Sequence, residues 1–110
     1  MSKPQDVIEL FHKAGPLFVA LGDENRQHIV VQLLQIHKMS VNQITESTPL
    51  SRPAVSHHLK LLHQAGLVDI EKQGTQRLYY LADSSIEQVD LLEMLARALR
   101  ECTNWQTPQN

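Results

Sequence analysis

Residues 51 to 66, SRPAVSHHLKLLHQAG, carry both ends of a helix within their own sequence. Ser51 can accept an amide hydrogen that a first helical turn leaves unpaired, and Pro53 sits in that turn, where its missing N–H breaks no internal bond. Gly66 can supply the left-handed residue that closes the last turn. A residue that elsewhere breaks helices is here a start signal. With both ends fixed, a rotation of about 100° per residue puts Val55, Leu59 and Leu62 on one face and Pro53, Ser56, His57, Lys60 and Gln64 on the other. His58 falls at the edge of the apolar stripe, so adjacent histidines have separate tasks. His57 faces outward, and His58 packs or hydrogen-bonds half-buried. Such a face suits a polar partner better than it suits a core.

The flanks define what surrounds this helix. Residues 5 to 14 have apolar side chains at helical spacing before Gly15-Pro16, where a kink or short break is expected ahead of PLFVALG. Asp23 can cap ENRQHIVVQLLQIHK, whose apolar positions 29, 30, 33, 34 and 36 predict a largely buried helix. Ser40 and Gln43 have the spacing of a reciprocal capping box and open a short helix ending near Ser47. Beyond Gly66, LVDIEK and QRLYYL flank QGT, with Gly74 at the loop, and predict a two-stranded ribbon. From Ser84 a long helix carries Ile86, Val89, Leu92, Met94, Leu95, Ala96 and Leu99 on a broad apolar stripe. The expected fold is mainly α with a two-stranded β-hairpin wing, a winged helix-turn-helix. Residues 1–102 form one domain, and the polar stretch 103–110 is a flexible tail.

At 110 residues one core is expected, and no apolar run is long enough to span a bilayer. The N-terminus MSKPQDVIEL has no basic segment followed by an apolar core and cleavage site, so a cytoplasmic location without a membrane partner is expected. The net charge of −2 argues against a polyanionic partner only until its distribution is considered. Residues 51–82 hold Arg52, Lys60, Lys72 and Arg77 against Asp69 and Glu71, so the positive balance coincides with the polar helix and the hairpin.

The second helix of a helix-turn-helix enters the major groove of duplex DNA by its first turns. Ser51, Arg52, Pro53, Ser56 and His57 occupy those turns here, with Arg52 suited to guanine. Lys60, with Lys72, Gln73, Thr75 and Arg77 at the base of the hairpin, is suited to phosphates. A merely solvated face would carry similar residue types; the helix-turn-helix setting favours double-stranded DNA. The apolar stripe of the last helix exceeds what a small domain can cover, which implies a second copy of the chain. Val7, Phe11, Ile86, Val89, Leu92, Leu95 and Leu99, on the first and last helices, are the expected dimer residues.

The runs LGDENRQHIVVQLL, LSRPAVSHHLKLLHQAGLV and KQGTQRLYYL resemble the ArsR/SmtB family of dimeric winged-helix repressors over about residues 15–100. The resemblance implies a recognition helix at 51–64, a wing at 67–81, and a homodimer that holds a near-palindromic operator until an inducer releases it. It also exposes departures. Members sensing thiophilic metals carry paired cysteines in the short third helix, where this chain has HKMSVNQI. Zinc-type members place Asp and His pairs on the last helix, which here offers Glu87, Asp90 and Glu93 but no histidine. His12, His28 and His37 lack the spacing that aims a pair at one ion, although a site assembled across the dimer stays open. Cys102, the single cysteine, is read as an inert thiol rather than a redox sensor. No metal or cofactor is therefore assigned, and the inducer, a small molecule or an oxidant, is not identified. No nucleophile, base and orienting carboxylate share a helical spacing, so an enzyme is not expected. A winged-helix module that binds another protein is the alternative.

Overall fold

The computed structural model describes residues 3–102. Helix α1 (Pro4–Leu21) leads to α2 (Glu24–Gln35), a short strand β1 (Met39–Ser40) and α3 (Val41–Glu46). Then come α4 (Arg52–Gln64), the hairpin strands β2 (Val68–Gln73) and β3 (Gln76–Leu81), and α5 (Ser85–Glu101). The expected flexible tail, 103–110, lies outside the described residues.

Local chemistry sets the boundaries. The Asp23 carboxylate accepts the backbone N–H of Asn25 at 2.8 Å and of Arg26 at 3.2 Å, capping α2. Ser40 Oγ accepts from the Gln43 amide while Gln43 Oε1 accepts from the Ser40 amide, so the capping box of α3 is complete. Ser51 Oγ accepts from the Ala54 amide at 3.3 Å, with Pro53 in the first turn. At the other end of α4, Gly66 has φ of 78°. Its N–H donates to the His63 carbonyl and that of Leu67 to the Leu62 carbonyl. These two bonds satisfy carbonyls that the last turn would otherwise orphan. Gly74, with φ of 62°, is the first residue of the two-residue hairpin loop between Gln73 and Gln76, a position where side chains other than glycine are strained.

Three expectations need correction. The helix does not break at Gly15: α1 is continuous through Pro16. The bond Pro16 cannot make is to the carbonyl of His12, and both residues lie on the exposed side, where water can satisfy that carbonyl. The wing is three-stranded, because β1 pairs antiparallel with β3, in the order β1-β3-β2. Two residues are too few to show a period, so this strand left no mark in the sequence pattern. Finally, α2 is not largely buried. Only Ile29 and Leu33 are buried, while Val31, Leu34 and Ile36 stay exposed, because apolar residues too widely spread around a helix cannot all face one core.

The main core gathers Leu17 and Ala20 of α1, Ile29 and Leu33 of α2, Ile44 of α3 and Val55, Leu59 and Leu62 of α4, closed by Met39, Leu67 and Val68. The helix-turn-helix is thereby held on its inner side and left open on its outer side. Val7, Leu95 and Ala98 form a separate small cluster where α1 and α5 pack together, joined by Leu10, Leu99 and Cys102. No described helix is long and apolar enough to cross a membrane.

Candidate nucleic-acid interface

The α4 face opposite Val55, Leu59 and Leu62 carries Ser56, His57 and Lys60, all exposed, and the first turn exposes Ser51, Arg52 and Pro53. On the hairpin Lys72, Gln73, Thr75 and Arg77 are exposed as well. The candidate contacts read from the sequence are thus all accessible in one chain. One detail differs: Lys72 and Arg77 are directly cross-strand partners one step from the closing pair Gln73 and Gln76, so they lie near the tip of the hairpin rather than at its base. The loop between the strands is only two residues long, which draws the tip back to them.

The first turn of α4 and the hairpin share a cleft of about 520 Å³, lined by Ser40, Val41, Asn42, Arg52, Ser56, Thr75, Gln76, Arg77 and Tyr79. It is rich in donors, and it brings together groups from α3, α4 and the wing. Across it Arg52 Nε donates to Asn42 Oδ1 at 2.9 Å. Asn42 was not singled out in the sequence, since nothing in its own neighbourhood points to a residue ten positions away.

Two further residues prepare this surface without belonging to it. Arg26 donates from Nε to the Ala20 carbonyl at 2.7 Å and from Nη2 to the Val19 carbonyl at 2.9 Å, while its Nη1 lies 3.1 Å from His58 Nδ1. A guanidinium only donates, so His58 Nδ1 is the acceptor and the ring proton resides on Nε2. One side chain therefore ties the end of α1 to the middle of α4. His58 is half-buried, as its position on the helix implied, and His57 is exposed. Backbone amides explain the neighbouring acid: the hydrogen bond from the Arg26 N–H, then that from Asn25 and the charges of Arg26 and His58, hold the Asp23 carboxyl below its ordinary range.

At the wing, Lys38 donates to Glu71 Oε2 at 2.9 Å and lies 5.5 Å from the centre of the Tyr80 ring. The hydrogen bond from Lys38, and then its charge, lower the Glu71 pKa. The carboxylate on β2 is thereby partnered, which reduces its repulsion toward an anion at the adjacent hairpin. Arg26, Lys38 and Asn42 each act over a distance in sequence that no local motif spans.

The dimer candidates divide. Phe11, Ile86 and Val89 are exposed, Leu92 and Leu99 are partly buried, and Val7 and Leu95 are buried between α1 and α5 of the same chain. Phe11 stacks at 5.9 Å from Phe18, and with Ile8 these rings give α1 an exposed apolar face. Met94 points away from this side of α5, into a groove lined by Leu10, Asp90, Glu93, Arg97, Ala98 and Glu101. Among the described residues no three His, Cys, Asp or Glu side chains converge on a point where a metal could bind. Cys102 is half-buried against the α1–α5 cluster.

A helix-turn-helix whose second helix opens beside a β-hairpin, both with polar outer faces, defines the winged-helix class of nucleic-acid-binding domains. Residues 23–69 match the family model for bacterial regulatory proteins of the arsR family. The chain is 34% identical over 82 residues to an uncharacterised helix-turn-helix transcriptional regulator of Methanocaldococcus jannaschii, covering 74% of this chain and 92% of that one. It is 36% identical over 78 residues to the arsenical resistance operon repressor of Bacillus subtilis, covering 71% of this chain and 74% of the repressor. Its fold matches an ArsR-like transcriptional regulator from Rhodococcus sp. RHA1 with a TM-score of 0.72 at 25% identity, over 90% of this chain and 92% of that one. The chain belongs to the arsR family of bacterial regulatory proteins, helix-turn-helix transcriptional regulators that bind double-stranded DNA. Its relatives are regulators and not enzymes.

Proposed function

We propose that the chain is a repressor that acts as a homodimer on a near-palindromic operator, with residues 1–102 as its single working unit in the cytoplasm. The observation that carries this reading is the pairing of two unlike surfaces in one small fold. The outer face of α4 and the hairpin tip expose cations and hydrogen-bonding groups around one cleft, and α1 and α5 expose Phe11, Ile86 and Val89. The polar surface suits a duplex, and the apolar one suits a second copy.

In this reading Ser51, Arg52, Pro53, Ser56 and His57 lie against base edges, while Lys60, Lys72, Gln73, Thr75 and Arg77 hold the backbone. Phe11, Ile86, Val89, Leu92 and Leu99 meet their counterparts, with Val7 and Leu95 shaping that face from beneath. The inducer, a small molecule or an oxidant, acts elsewhere than at the cysteine pair or last-helix histidines of metal-sensing members, because those residues are absent from this chain.

Selection of bound duplexes from a random-sequence pool, followed by sequencing, tests the proposal. It predicts two inverted half-sites about one helical turn apart. Enrichment of a lone half-site would remove the dimeric reading. No enrichment, with no duplex retained at low salt, would leave a module that binds another protein.

A further inference from the structure

We propose that Asn42, on α3, is a positioning residue for base recognition: it holds the Arg52 guanidinium in the orientation that reads a guanine. The inference deepens the DNA-binding reading and rests on it. Arg52 is the first residue of α4, and its backbone is fixed by the Ser51 cap, yet its side chain is exposed and has four rotatable bonds to settle. The hydrogen bond from Nε to Asn42 Oδ1, 2.9 Å long, settles them from the side.

An arginine carries five N–H donors in a planar fork. Using Nε toward Asn42 leaves the end of the fork, Nη1 and Nη2, and no described group of the chain bonds either nitrogen. That free end matches the two acceptors, O6 and N7, that guanine shows in the major groove. The Asn42 amide oxygen is its only acceptor there, so the side chain presents that atom to Arg52 and cannot do so if shortened to alanine. Both residues line the cleft between α4 and the wing, the side on which Ser56, Thr75 and Arg77 also lie. Holding a long side chain before binding lowers the entropy lost on binding, so Asn42 acts through Arg52 rather than by a contact of its own.

The test is a double-mutant cycle on a duplex that the wild-type chain selects from a random pool. Asn42→Ala is expected to weaken binding to the selected duplex about three- to ten-fold, the range that ordering one such side chain accounts for, and to leave random duplex unchanged. The base preference it flattens should be at the position flattened by Arg52→Ala. In the Arg52→Ala background, Asn42→Ala should change nothing. Asn42→Asp, which keeps an acceptor for Nε, should retain the base preference, and it carries the test if the alanine variant melts early. An equal loss with and without Arg52 would mean that Asn42 touches DNA itself, and no loss at all would mean that the bond is incidental. Either result overturns the inference while leaving the regulator reading intact, whereas a wild-type chain that selects no duplex overturns both.

Discussion

Helices α4 and α5 are both amphipathic, and they finish differently. In α4, Val55, Leu59 and Leu62 are fully buried and the outer face is Ser56, His57 and Lys60. In α5 only Leu95 and Ala98 are buried, while Ile86 and Val89 remain 64% and 51% exposed. The first helix uses its apolar residues within the chain and offers a polar face; the second retains apolar residues that its own chain does not cover. The chemistry of the uncovered face, more than the amphipathic pattern, tells the partner: a polar duplex for α4 and another copy for α5.

The most severe break in this comparison is inside α4. Leu59→Ala removes a side chain at the centre of the main core and should cost about 2–5 kcal/mol, visible as a large fall in the urea midpoint. A change under about 1 kcal/mol would mean that α4 is not anchored as described.

On the other side, Phe11→Glu combined with Val89→Glu places charge on the exposed apolar face without touching the core. Sedimentation should show a folded monomer, and binding to a two-half-site duplex should weaken by about a hundred-fold or more, because the second recognition helix is no longer tethered. An unchanged sedimentation coefficient would exclude these two side chains from the contact.

Within the polar face the contrast sharpens. Arg52→Ala should cost about 1–3 kcal/mol on a selected duplex and little on random DNA. Arg77→Ala should weaken both alike and make the salt dependence shallower by about one unit. Exchanged behaviour would reverse the division between base reading and phosphate holding.

The smallest expected effect is electrostatic. Asp23 and Glu71 are held below their ordinary pKa when folded. Their contribution to stability is therefore complete above the unfolded carboxylate value and is lost as pH falls through the lowered folded value. Asp23→Asn, which still caps α2, should flatten the acid limb of the melting temperature against pH. An acid limb identical to that of the wild type would show that Asp23 does not contribute to it.

The parts of this design legible in the sequence are those decided within a few residues. Asp23, Ser40 and Ser51 cap amides two or three positions away, and Gly66 and Gly74 take positive φ where a turn requires it. The helix order and the outer face of α4 followed from them. What remained hidden depends on distance along the chain. The Arg26–His58 contact spans 32 residues and Lys38–Glu71 spans 33. The strand Met39–Ser40 exists only because β3 is there to pair with it. Leu34 and Ile36 have the hydropathy of core residues, but their exposure follows from the packing of α2, which periodicity alone does not specify.

The affinity for duplex DNA as a function of salt tests the central claim most directly, because it counts neutralised phosphates. Lys60, Lys72 and Arg77 of two chains, gripping one duplex together, should give a log–log slope of about −5, from roughly −0.9 per phosphate. A slope near half that value would contradict the duplicated grip, and one close to zero would contradict the DNA-facing surface altogether.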